Sequence, residues 1–152
     1  MIQRIQTLYL LAAVALCIVC LCLQIGTVSA GGTVVAREYN LWVMSSDGTV
    51  GWSVWPLFAV LTLASAVGIY AIFMFRNRVL QARFCLFCSL LMVGWYAIYA
   101  VSGHLIADSQ AKETFSPSLT AALPLVSLVL YALARRAIMA DERLVRAADR
   151  IR

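Results

Sequence analysis

The chain has 152 residues, of which 63% are hydrophobic and 12% charged, and its mean hydropathy is +0.89; an ordinary globular domain carries about 25% charged residues. The net charge of +5 does not require nucleic acid, because most basic residues abut apolar runs, where they orient a membrane protein. All five cysteines lie in or beside apolar segments, which argues against a disulfide-stapled secreted domain.

Residues 5–25 form an uncharged run that, at about 1.5 Å per helical residue, crosses the roughly 30 Å core of a bilayer. A signal peptide is the competing reading, since Val28-Ser29-Ala30 offers small residues at a cleavage position. The apolar run exceeds the about 7–15 residues of a signal core, which favours a retained first span.

Residues 26–53 are expected to form a short outer β-hairpin. Gly31 and Gly32 break the helix, and Thr33-Val34-Val35 and residues 39–44 are rich in β-branched and aromatic side chains. Turn chemistry at Ser46-Asp47-Gly48 then precedes a second extended stretch over 49–54. Trp42, Trp52 and Trp55 fall in or next to this region, as an interfacial aromatic belt or as part of a ligand-binding cap.

The second span is expected over 55–75, with Pro56 in its first turn, where a missing N–H costs nothing. Ala64 and Gly68, four apart, offer a face on which a neighbouring helix can approach closely. A connector bearing Arg76, Arg78 and Arg83 leads to a third span over 84–106. Ser116 and Pro117 read as N-cap and first residue of a fourth span over 117–133, which Pro124 should bend.

Residues 134–152 make a basic tail helix. Leu144, Ala148 and Ile151 recur as an apolar stripe, with Arg143, Arg146 and Arg150 among the charged positions around it. This pattern suits attraction to anionic lipid or docking on a membrane-protein partner complex. Ribosomal RNA or other nucleic acid fits less well, because acids are interleaved with the arginines. The tail could continue the fourth span or restart at Asp141 after a break near Met139 and Ala140.

Ten of the twelve basic residues, namely Arg4, the three connector arginines and the six of the tail, fall on one side of this arrangement, with Arg37 and Lys112 on the other. The positive-inside rule then makes both termini cytoplasmic and the Trp-bearing hairpin outer. The expected fold is an all-α membrane domain, an antiparallel four-helix bundle with a short outer hairpin and a cytoplasmic amphipathic helix.

Cys85 and Cys88 form a C-x-x-C at the start of the expected third span, beside Arg83. A helix N-terminus and nearby arginines favour thiolate, so a thiol-dependent membrane oxidoreductase is the enzymatic alternative. Two small packing residues on one helix face are the other reading. His104 is the only histidine, which excludes haem held by paired histidines. No resident cofactor or metal site is expected, and the spans carry no central ionisable residue of the kind that marks pumps, channels and transporters. A lipid-binding or quinone-binding module is the remaining alternative. The favoured reading is a non-enzymatic accessory or scaffold subunit.

The opening residues Met1 to Leu10, the four spans at this spacing, and the closing Asp141-Glu142-Arg143-Leu144-Val145-Arg146 with Asp149-Arg150-Ile151-Arg152 resemble a family of Bacteroidetes inner-membrane proteins defined as a domain of unknown function. That resemblance implies a location and a topology rather than an activity. The four spans with Asn40-Leu41-Trp42 in the first outer loop are also similar in architecture to claudin-type proteins, although the cysteine pair of that loop has no counterpart here.

Overall fold

The computed structural model describes residues 2–75, 77–108 and 113–149, without the side chains at 2–4, 105–108, 113, 146, 148 and 149. Four helices, α1 (Ile2–Cys22), α2 (Trp55–Phe73), α3 (Arg78–Asp108) and α4 (Leu123–Asp149), accompany five strands, β1 (Gln24–Ala30), β2 (Thr33–Tyr39), β3 (Val43–Ser45), β4 (Val50–Gly51) and β5 (Glu113–Pro117). Each helix contains a segment long and apolar enough to cross a membrane.

Around the bundle, α1 packs on α2 and α4, and α3 packs on the same two. Its interior is filled by Trp95, Tyr131, Leu10, Leu57, Leu61 and Met92, all fully buried. The small pair expected on α2 does admit its neighbours. A Cβ on Gly68 would overlap the Tyr131 hydroxyl of α4 and stand 2.6 Å from Val14 of α1.

The segment between α1 and α2 is larger than a hairpin. β1 to β4 form an antiparallel meander, and β5, from the loop between α3 and α4, pairs with the free edge of β1, giving the order β4-β3-β2-β1-β5. The fold is therefore not purely helical. Gly31 and Gly32, at φ +60° and +86°, make the two-residue turn joining β1 to β2, a conformation with positive φ at both positions that favours glycine. The strands come together only because the bundle brings the α1–α2 and α3–α4 connections side by side.

Several boundaries differ from the sequence expectation. α1 stops at Cys22 instead of 25, because Gln24 and Ile25 are drawn into β1. There the Asn40 amide donates to the Cys20 carbonyl at 2.7 Å, adding to the 3.3 Å bond that this carbonyl takes from the Leu23 N–H at the helix end. α3 begins at Arg78 rather than 84, so Arg78 and Arg83 belong to the helix and not to the connector. Ser116 and Pro117 close β5, paired with Thr27 and Gly26, and cap no helix. Pro124 lies in the first turn of α4 after a 3-10 turn over Leu119–Ala122. It needs no N–H there, so the expected mid-helix bend has no cause.

The tail question resolves in favour of continuity. α4 runs from Leu123 to Asp149 without a break near Met139 and Ala140. Its buried stripe, Ser127, Tyr131, Ala134 and Ile138, leads to Asp141, which forms an ion pair with Arg78 at the start of α3. One rigid element thus carries both the apolar span and the basic extension.

Candidate functional site

Two surfaces carry the chemically specific side chains, one at each end of the bundle. At the sheet end the polar groups face inward. Trp95, Tyr99 and Ser102 recur at i, i+4 and i+7 on α3, the spacing of a single helix face, and this face receives the underside of the sheet.

Asn40, fully buried after β2, is the pivot. Its amide nitrogen donates to the Cys20 carbonyl, its side-chain oxygen accepts from the Trp95 indole at 3.1 Å, and its backbone carbonyl accepts from the Phe58 N–H at 3.1 Å. One side chain so ties the end of α1 to α3, while its backbone holds the start of α2. Trp95 stacks on Tyr99 with ring centroids 5.0 Å apart and an interplanar angle of 13°. The Tyr99 hydroxyl donates to the Ile25 carbonyl at 2.7 Å, and Thr120 donates to the Gln24 carbonyl.

Glu38 is the exceptional group, a carboxyl with no exposed surface. Its Oε1 lies 3.1 Å from the Ser102 hydroxyl, which is itself 2.9 Å from the Tyr99 carbonyl, and its Oε2 has no hydrogen-bond partner. A single serine proton cannot serve both acceptors. A protonated Glu38 removes the conflict, because its O–H donates to Ser102 while Ser102 donates to the Tyr99 carbonyl. Burial pushes the carboxyl up to about 7 and the Ser102 contact opposes that rise, in keeping with the cost of charge in an apolar site.

Space for this arrangement comes from glycine. A Cβ on Gly26 would stand 2.7 Å from the Phe115 ring and 3.0 Å from Glu38 Oε2, and one on Gly103 would stand 3.2 Å from the same ring. Phe115 of β5 is therefore held between sheet and helix, edge-on to Tyr99 at 5.7 Å.

Nearby, the sheet brings together two of the three predicted tryptophans. Trp42 meets Trp52 edge-on at 6.1 Å and Tyr39 at 5.9 Å. Trp55 instead begins α2 and is 59% exposed.

At the opposite end the charges face outward. Arg83, Arg135, Arg136 and Arg143 lie there on α3 and α4, all four exposed. Of the predicted docking residues, Arg143 and Leu144 are exposed, Leu144 by 61%. Arg146 and Ala148 lie on α4 with side chains outside the described residues, as Arg150 and Ile151 are altogether. Val145, Glu142, Arg78 and Arg83 line a common groove between the tail and the start of α3.

The cysteine pair is not at a helix start. With α3 beginning at Arg78, Cys85 and Cys88 lie about two and three turns inside it, beyond the first turn over which the helix dipole acts. Both are fully buried, with Cys88 Sγ 3.6 Å from the Ala64 carbonyl of α2. Cys17 Sγ touches Met92 Sδ at 4.0 Å across the bundle. These thiols pack as small apolar groups in the described structure. Among the described residues no cluster of three or more His, Cys, Asp or Glu side chains is arranged to hold a metal ion, and His104 is exposed near the end of α3.

Sequence reasoning missed Glu38, Asn40 and Trp95. A usable signal was present for Glu38, since alternation along β2 puts it on the face of Val34 and Ala36, opposite Arg37.

A protein of four apolar helices closed at one end by a small sheet is the class these features define. The chain belongs to the domain of unknown function family DUF4293, whose model matches residues 2–151. No curated protein matches it.

Proposed function

We propose that this is an integral protein of a bacterial inner membrane with four spans, both termini cytoplasmic and the sheet outside, acting without catalysis as an accessory or scaffold subunit of a larger membrane assembly. Support for insertion comes from the outward faces of the helices. Only 28–33% of each apolar span is buried within the protein, and Leu63, Phe73, Leu90, Val101 and Leu125 are among the large apolar side chains left exposed. Support for the orientation comes from the described arginines, with Arg78, Arg83, Arg135, Arg136 and Arg143 at one end and Arg37 on the sheet at the other.

The observation that carries the docking role is the unbroken α4. A helix that leaves the apolar span without bending, clamped by Arg78 and Asp141, presents Leu144, Val145 and Arg143 as a rigid arm. Because its shape is set before binding, little ordering cost opposes association. Purification in mild detergent of the full chain and of a chain ending at Asp141 tests this. Partners retained by the first and lost by the second are expected, and an identical set from both would overturn the docking role.

A further inference from the structure

At the arginine end, α1, α2 and α3 enclose a groove of about 560 Å³, within the ~300–1,000 Å³ range of small-ligand sites. Its walls are Leu8 and Leu11 of α1 with Ile72 of α2 and Phe75 in the turn after it, and its polar end is Arg78 with Gln81. Leu8, Leu11 and Phe75 are 63%, 56% and 65% exposed, so the groove opens sideways along the helices. The two glutamines that border it are engaged elsewhere, Gln6 donating to the Ala137 carbonyl and Gln81 to the Ala71 carbonyl. Arg78 is the cation in its lining, and Asp141 engages its Nη1. A guanidinium has five N–H donors in a planar fork, which leaves donors for a second anion.

We propose that this groove holds one anionic glycerophospholipid, with an acyl chain along Leu8, Leu11, Ile72 and Phe75 and its phosphate on Arg78. The inference rests on the membrane reading above. Charge selects the headgroup, since Arg83, Arg135, Arg136 and Arg143 lie at the same end and phosphate is a preferred guanidinium partner. Position selects a lipid over a peptide. A groove open along apolar helices would leave a peptide's backbone N–H and C=O groups unpaired, whereas a hydrocarbon chain has none.

Native mass spectrometry of the detergent-purified full chain, titrated with phosphatidylglycerol or phosphatidylcholine, tests the site. A single phosphatidylglycerol adduct is expected, retained at least fivefold better than phosphatidylcholine. Leu11→Trp, which fills the groove, and Arg78→Gln should each lose that preference. Asp141→Asn, which breaks the ion pair but keeps the guanidinium, should preserve it. Equal retention of both lipids, retention undiminished in Leu11→Trp, loss of the preference in Asp141→Asn, or a second protein chain in place of lipid would each overturn the proposal. Carbonate extraction of membranes separates the two levels. Release of the chain into the soluble fraction would remove the membrane reading itself, whereas an extracted membrane protein without lipid preference removes only this site.

Discussion

The two ends of the bundle use polar groups in opposite ways. At the sheet end, Asn40, Glu38, Trp95 and Tyr99 spend their hydrogen bonding inside the molecule, so polarity there serves to fix the sheet on the helices. At the other end the arginines are mostly exposed, and among the described residues the Arg78–Asp141 pair is the ion pair that joins two helices. Buried polar groups become costly when a partner is removed, whereas exposed charges are largely solvated already. The sheet end should therefore be the mechanically sensitive one, and the arginine end the one free to change partners.

The largest expected effect follows from Asn40→Ala. It strands the Trp95 indole N–H and leaves the Cys20 carbonyl only its 3.3 Å bond from the Leu23 N–H, and at about 1–3 kcal/mol for a buried group left unpaired, a loss of about 1–3 kcal/mol is expected. Thermal unfolding in detergent should show a clear drop in midpoint, and a midpoint within a degree of the parent would show that the network does not secure the sheet.

A pH profile gives the next effect. Glu38 has its folded pKa raised from 4.5 to about 7, so the folded state holds the proton more tightly than the unfolded one. Its contribution to stability is fully present below pH 4.5 and is lost as pH rises through about 7, with a slope of at most ~1.4 kcal/mol per pH unit. Glu38→Gln keeps the shape and removes the titration. Unfolding midpoints from pH 4.5 to 8 should fall with pH in the parent relative to the variant, and parallel profiles would exclude a proton on Glu38.

Asp141→Asn should have the smallest effect. The pair keeps only 24% and 15% of its side chains exposed, but the asparagine Oδ1 still accepts from the Arg78 guanidinium, so the loss should be about 1 kcal/mol and global unfolding should barely move. Hydrogen exchange along residues 139–149 should nevertheless quicken by several fold. Unchanged exchange there would show that α4 is rigid without the clamp.

The sequence by itself determined four apolar spans, the small face of Ala64 and Gly68, and the clustering of arginine beside them. Those features depend on local composition and period, which a single segment expresses without its neighbours. The sheet was only half legible, because β5 finds β1 across more than eighty positions of chain, and no local pattern encodes that pairing. The same reason reassigns Ser116 and Pro117 from a helix cap to a strand, and it shortens α1 by giving Gln24 and Ile25 partners outside the helix.

Glu38 and Asn40 read as polar residues of an expected hairpin until tertiary structure places them under the sheet, where burial changes the cost of a proton or a missing hydrogen bond. Likewise the depth of Cys85 and Cys88 was decided by where α3 starts. Charge and hydropathy are properties of residues, legible one position at a time. Burial is a property of contacts, and only the assembled chain decides it.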